Sequence, residues 1–322
     1  MAERARATRI LTQIDSRSWE HPADRATLNA LRKIPGFDEV LRALFGFFGE
    51  RGVRLAFQAN AVRASPTQFA RVHRLYGEVA RTLDAPAEYP VFVTQSPVYN
   101  AMAYGMDQPF IVVHSSLAAS FDDDELRFVL GHELGHIMSG HVLYTTMMEL
   151  LTMLAWRNFP IVGLAAGGIL LALREWHRKA ELSCDRAGIL AVQDPEPGLQ
   201  VMLKFAGGAS GEANLAEFIR QSDEYCAEGE LPDQVYKVLN VLNASHPFPV
   251  IRVAEMRTWF ASGAYERIIA GEYRRRGEPD RAYTDDVQEA ARAYSEAARD
   301  TFGKAAGAAQ RVVDSFRSGF GR

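Results

Sequence analysis

The chain has 322 residues, 48% of them hydrophobic and 24% charged, with a formal net charge of −4 and a pI near 6.1. That length allows one large domain or two small ones, with a core that needs no covalent staples. The mildly acidic balance, without a long basic run, excludes the electrostatics of a nucleic-acid binder, and two cysteines (Cys184 and Cys226) are too few for a disulfide framework and fit a reducing compartment.

At the N-terminus Arg4, Arg6 and Arg9 are interspersed with Glu3 and Asp15, and no apolar run has secretory length, so the chain reads as intracellular. Residues 24–49 have helical periodicity, and Pro35-Gly36 divides them into two helices. Residues 65–83 form a third, with Pro66 near its start and Phe69, Val72, Leu75 and Val79 on one face. Residues 90–95 and 109–114 are short and β-branched, which predicts strands, with a third strand between Val98 and Gly105. From Phe121 onward the pattern is helical. Asp122, Asp123 and Asp124 suit a helix N-terminus. A long helix is expected over 161–192, with shorter ones near 196–206, 212–226, 232–242 and 248–260. Residues 274–286 read as a linker, and the Ala-rich 287–318 as an amphipathic helix.

His132-Glu133-Leu134-Gly135-His136 falls on the first of these later helices. Residues four apart differ by about 40° around a helix, so the two imidazoles converge and can share one zinc ion. Glu133 projects about 100° from His132 and can reach a water on that ion. A hydrolytic zinc usually takes three protein ligands and keeps one position open. His141 is off the ligand face and reads as a structural or supporting residue. Glu181 and Asp185 lie four apart on the second long helix, flanked by small Ala187 and Gly188. Glu181 can be the third ligand, and Asp185 can orient one of the histidines through a ring N–H. Cys184 is three residues after Glu181. A thiolate there would be an alternative or inhibitory ligand, and the simpler reading is a small buried packing residue.

These motifs resemble the zinc metallopeptidases of peptidase family M48, typified by the HtpX heat-shock protease and the CAAX prenyl protease. The resemblance rests on HELGH at 132–136, ExxxD at 181–185, Asn100-Ala101-Met102-Ala103, and His246-Pro247-Phe248-Pro249-Val250-Ile251-Arg252-Val253, in the family's order. It covers about residues 65–260. It implies an α+β, mostly helical, zincin-like (gluzincin) domain whose HExxH helix packs on a small sheet. It also implies one Zn2+ per chain and a protein or peptide substrate in extended conformation, pairing with the edge strand at Asn100, Ala101, Met102 and Ala103. Glu133 would be the catalytic base, His246 would stabilise the oxyanion, and Arg252 would pair with a carboxylate near the metal, Asp185.

The expected organisation is an N-terminal helical extension (1–64), a catalytic domain (65–273), and a linker with a C-terminal helix (274–322). Residues 142–156 and 159–173 are apolar, but each is shorter than the ~20 residues of a membrane span. Two readings stay open. The segment 142–173 is a helical hairpin buried in a soluble core or an oligomer contact, or a shallow hairpin on the cytoplasmic face of the inner membrane. The expected function is a zinc metalloendopeptidase, with protein quality control as one setting. The alternative is a latent, zinc-stabilised peptide-binding or chaperone-like module.

Overall fold

A computed structural model of the chain describes residues 8–34, 37–156, 164–209, 211–227 and 248–278. The elements that position the site are, in chain order, α1 (Pro22–Leu31), α2 (Phe37–Asn60), β1 (Ala61–Arg63), α3 (Ala70–Thr82), β2 (Val91–Thr94), β3 (Ala101–Tyr104), β4 (Phe110–His114), α4 (Ser115–Ser120), α5 (Asp123–Met138), α6 (Val142–Trp156), α7 (Leu164–Val192), α8 (Pro195–Gly207), α9 (Leu215–Ala227), α10 (Pro249–Ala261) and α11 (Ala264–Ala270). The architecture is α+β and mostly helical, with a small sheet. The helices expected at 232–242 and 287–318 lie outside the described residues.

The sheet order is β1-β2-β4-β3, with β2 and β4 parallel and the outer pairs antiparallel. Side chains alternate across a strand. Val91, Val93, Ala101, Ala103, Ile111 and Val113 therefore enter the main core, while Phe92, Phe110 and Val112 form a small cluster on the opposite face. β3 pairs only with β4 among the described residues, so its other side is a sheet edge.

Helix α5 runs through the core. Asp122 caps it: its carboxylate accepts from the Glu125 N–H at 2.9 Å, and the Glu125 carboxylate accepts from the Asp122 N–H at 2.8 Å, a reciprocal capping box. Leu126, Phe128, Leu130, Leu134 and Ile137 are buried around its circumference, as a helix packed on all sides requires. Helix α3 presents Val72, Leu75, Tyr76 and Val79 to this core. It starts later than the periodicity predicts. Residues 65–68 close a turn, and Phe69 takes a left-handed conformation (φ 48°) and stays 40% exposed, so it does not belong to the buried face.

The core crosses the boundary expected near residue 64. Leu11, Ile14 and Trp19 are fully buried in the same cluster as the α3, α5 and α7 side chains. The N-terminal segment is tied down by Leu11 N–H to Thr82 O (2.8 Å), Arg276 N–H to Gln13 O (2.7 Å) and Trp19 Nε1–H to Ser139 Oγ (3.2 Å). In the 142–173 segment, Met147, Met148, Leu151, Ile169 and Leu173 pack with Leu31 and Phe37 of α1 and α2 in a second cluster. Residues 157–163 lie outside the described residues. Among those described, no helix is long and apolar enough to cross a membrane.

Candidate metal centre

Helices α5 and α7 approach closely because small residues face each other. A methyl group placed on Gly135 would lie 2.7 Å from the Ala187 Cβ, and Gly131 faces Ala191 and Gly188 more tightly still. Glycine at these two turns of α5 lets the backbones close up. That approach brings His132 and His136 of α5 against Glu181 of α7.

The three side chains converge through their tips. His132 Nε2 and His136 Nε2 are 3.2 Å apart, Glu181 Oε1 is 3.2 Å from His136 Nε2, and Glu181 Oε2 is 3.5 Å from His132 Nε2. All three residues are buried. Four donors at 2.0–2.1 Å from a tetrahedral ion are separated by about 3.4 Å, so the spacing and the nitrogen/oxygen chemistry of this set fit a zinc-sized cation. Two imidazole nitrogens and a carboxylate oxygen converging in a buried site are a donor set that a divalent cation takes.

The surroundings fix each of these three side chains. Asp185 Oδ1 is 3.1 Å from His132 Nδ1, an orientation that leaves Nε2 free to ligate. Arg252, from α10, donates to Asp185 through Nε (2.8 Å) and Nη2 (2.5 Å), and its Nη1 is 3.2 Å from Glu181 Oε2. His177 Nε2 is 3.4 Å from Glu181 Oε1, and its ring stacks on His136. His141 lies on the far side of His136, 3.3 Å from its Nδ1. A second group of donor atoms (His136, His141 and Cys184) is also close-set and buried.

Burial dominates the ionisation of these groups. It pushes the Glu133 carboxyl up to about 7, with the Glu181 charge adding to the effect and His132 and Arg252 opposing it. His132 resists burial because Glu181 and Asp185 outweigh it, lifting the ring to about 10, whereas burial drives His136 down to about 4. Burial works against the Asp185 carboxylate, but Arg252 and His132 hold it below its ordinary value. The Cys184 thiol is pushed well above its ordinary value by burial and by the surrounding carboxylates, so it is a neutral thiol at physiological pH.

A cleft of about 420 Å³ opens onto this centre, lined by Tyr99, Asn100, Ala101, Met102 and Ala103, by Phe128, Val129 and Phe205, and by Phe248, Arg252 and the metal-site residues. The His114 N–H donates to Asn100 O at 2.9 Å. Antiparallel pairing alternates, so the backbone groups of Ala101 and Ala103 face away from β4 and toward the cleft. The structure thus brings together Glu133, His132, His136, Glu181, Asp185, Arg252 and residues 100–103. His246 lies outside the described residues.

Two contributors escaped the sequence reading. His177 lies four residues before Glu181 on the same helix, and that spacing was a signal. Asp24, whose Oδ2 is 3.1 Å from His141 Nε2, comes from α1, and no local pattern connects it to the site.

The comparisons agree with this geometry. The sequence profile of Peptidase family M48 matches residues 66–260. The chain is 34% identical over 267 residues to the plastoglobule-localized metallopeptidase 48, chloroplastic, of Arabidopsis thaliana, covering 81% of this chain and 77% of that protein. Shorter matches are a protease HtpX homolog of Helicobacter pylori (32% over 95 residues; 28% of this chain, 31% of that one) and the metalloprotease YcaL of Escherichia coli (35% over 98 residues; 28% and 37%). No solved structure matches at a significant level. The profile spans the sheet edge, α5, α7 and all but the last residue of α10, and the chain belongs to peptidase family M48, a family of metal-dependent peptide hydrolases.

Proposed function

We propose that the chain is a zinc-dependent metalloendopeptidase in which His132, His136 and Glu181 hold one Zn2+ and Glu133 is the catalytic base. The observation that carries this reading is the convergence of three buried donor atoms at 3.2–3.5 Å beside a fourth side chain, Glu133, that is not part of the set. A bound zinc ion would supply Lewis acidity, polarising the scissile carbonyl and making a water acidic enough to lose a proton near neutral pH.

The protein's own residues supply the rest. An extended substrate adds as a strand to the free edge of β3, with its backbone held by Ala101 and Ala103. This lays the scissile bond across the cleft beside Glu133. Glu133 accepts the proton of the attacking water and delivers it to the leaving amine. Burial raises the Glu133 carboxyl above its ordinary value, which makes the carboxylate a stronger base for the first transfer and its acid able to serve the second. Arg252 keeps Asp185 and Glu181 ionised and in place, and Asp185 holds His132 in the tautomer that ligates. His246 is assigned to the developing oxyanion by its motif alone.

The test is casein hydrolysis by Glu133→Gln beside the wild type. The variant should fold and keep its metal, and turnover should fall by at least about 100-fold, the lower end of a general base's contribution. Equal turnover in the variant removes Glu133 from the mechanism. Metal without turnover in the wild type supports the alternative, a latent peptide-binding module.

A further inference from the structure

His141 is not in the ligand set, yet it is 2% exposed and sits between a ligand and a carboxylate. It follows Gly140 in the turn from α5 to α6, where its N–H donates to the His136 carbonyl at 2.9 Å. Its ring packs edge-on against Trp176 at 5.4 Å and against His136 at 5.3 Å. Nδ1 is 3.3 Å from His136 Nδ1, and Nε2 is 3.1 Å from Asp24 Oδ2.

Asp24 is equally buried and is held on both oxygens. Trp176 Nε1–H donates to Oδ1 at 2.9 Å, and the Ser183 hydroxyl donates to Oδ2 at 2.6 Å. Ser183 accepts in turn from the His21 N–H at 2.8 Å. Trp176 and Ser183 belong to α7, the helix that carries Glu181, so Asp24 is fastened to the ligand-bearing helix.

The protons along this chain have one arrangement compatible with ligation. An ionised Asp24 only accepts, so His141 Nε2 carries a hydrogen. Between the two facing Nδ1 atoms, one donates and the other accepts. If His141 were the donor there, His136 would carry its hydrogen on Nε2, the atom that meets Glu181 and His132, and could not ligate while neutral. His136 must therefore donate from Nδ1 to a bare His141 Nδ1.

We propose that Asp24 and His141 are positioning residues of the metal centre, forming a buried Asp24–His141–His136 relay that fixes the tautomer and ring orientation of His136. The proposal rests on the ligand assignment made above. It gives each histidine ligand its own carboxylate: Asp185 acts on His132 directly, and Asp24 acts on His136 through His141. It also makes the N-terminal segment, which lies before the family match at 66–260, part of the metal centre.

The test uses the full chain with zinc and cobalt(II) as probes. Zinc affinity is measured by competition with a chromophoric chelator. The visible spectrum of the cobalt form reports ligand geometry, and thermal unfolding of the metal-free protein checks the fold. Asp24→Asn and His141→Phe should each weaken zinc binding by about 10- to 100-fold, as loss of an outer hydrogen-bond partner does, and alter the cobalt spectrum. His141→Gln separates positioning from ligation. Its amide can donate to Asp24 and accept from His136, so it should recover most of the affinity lost in His141→Phe, and it remains informative if the Phe variant does not fold.

Folded Asp24→Asn and His141→Phe proteins with wild-type zinc affinity would overturn the relay. So would a second bound metal abolished by Cys184→Ser, which would make His141 a ligand with His136 and Cys184. His132→Ala marks the other failure. If that variant binds zinc as the wild type does, the underlying ligand assignment is wrong, whereas its loss alongside an unaffected Asp24→Asn refutes the relay alone.

Discussion

Replacing Gly135 by alanine sets helix propensity against packing. In an isolated helix the change would stabilise by roughly 0.5–1 kcal/mol. Here the new methyl would lie 2.7 Å from the Ala187 Cβ and 3.5 Å from the Cys184 Cα and Sγ. Carbon atoms are in good contact at about 3.5–4.0 Å, so α5 and α7 must separate by about 1 Å, because Ala187 Cβ is fixed to its backbone and cannot swing aside. Overpacking of this kind costs about 1–3 kcal/mol. The net expectation is a loss of up to about 2.5 kcal/mol, with the packing term the larger. The functional effect should be greater than the stability effect, since metal–ligand distances tolerate only about 0.2 Å and the separation pulls Glu181 from the histidines. Urea unfolding of the metal-free protein measures the first quantity, and zinc competition titration the second. Gly135→Ala/Ala187→Gly moves the methyl from one helix to the other and should restore zinc binding with near wild-type stability. A Gly135→Ala protein that is stabilised and binds zinc normally would refute the argument that close helix approach builds the site.

Other consequences follow from the buried charges. Asp185→Ala leaves Arg252 without its principal partner, and breaking a buried pair on one side costs about 3–5 kcal/mol; unfolding midpoints should fall accordingly, and an unchanged midpoint would mean that the pair contributes little. Activity should have an acid limb, because Glu133 must be ionised to act as base. Burial raises its carboxyl to about 7 and a resident cation opposes that rise, so kcat/KM measured from about pH 5 to 8 should climb with a midpoint between the ordinary glutamate value of about 4.3 and 7. Activity that falls as pH rises through that range would contradict the role. Glu78 and Asp123 are opposed by burial but held below their ordinary values by Arg127, Arg74 and Arg71, which clasp α3 to α5. Their contribution to stability is therefore present above the unfolded-state values of about 4 and lost as pH falls through the lower folded-state values. Acid titration of stability should show the wild type losing its advantage over Glu78→Gln/Asp123→Asn as these groups protonate, and an advantage that persists in strong acid would exclude the clasp.

What the sequence made legible was whatever has local periodicity or chemistry. The β-branched runs at 90–95 and 109–114 became β2 and β4, and the Asp122 cluster became the cap of α5. Spacing placed the imidazoles of His132 and His136 on one face, and four-residue spacing did the same for Glu181 and Asp185. Short elements were missed: β1 and α11 carry too few residues for a period to emerge. Helix α2 runs to Asn60, past the end expected at 49 and through Gly52. Phe69 fitted the α3 stripe by number but lost its place to a left-handed backbone conformation that no periodicity reports. The link from Asp24 to His141 was invisible for a different reason. It joins two helices by tertiary packing, and a single buried acid in an N-terminal helix has no sequence signature.

The most direct test of the central claim is metal stoichiometry by elemental analysis, in the wild type and in His132→Ala and Glu181→Ala. One zinc per wild-type chain and a marked loss from both variants are the expected result. Wild-type protein without zinc, or variants that retain it fully, would contradict it.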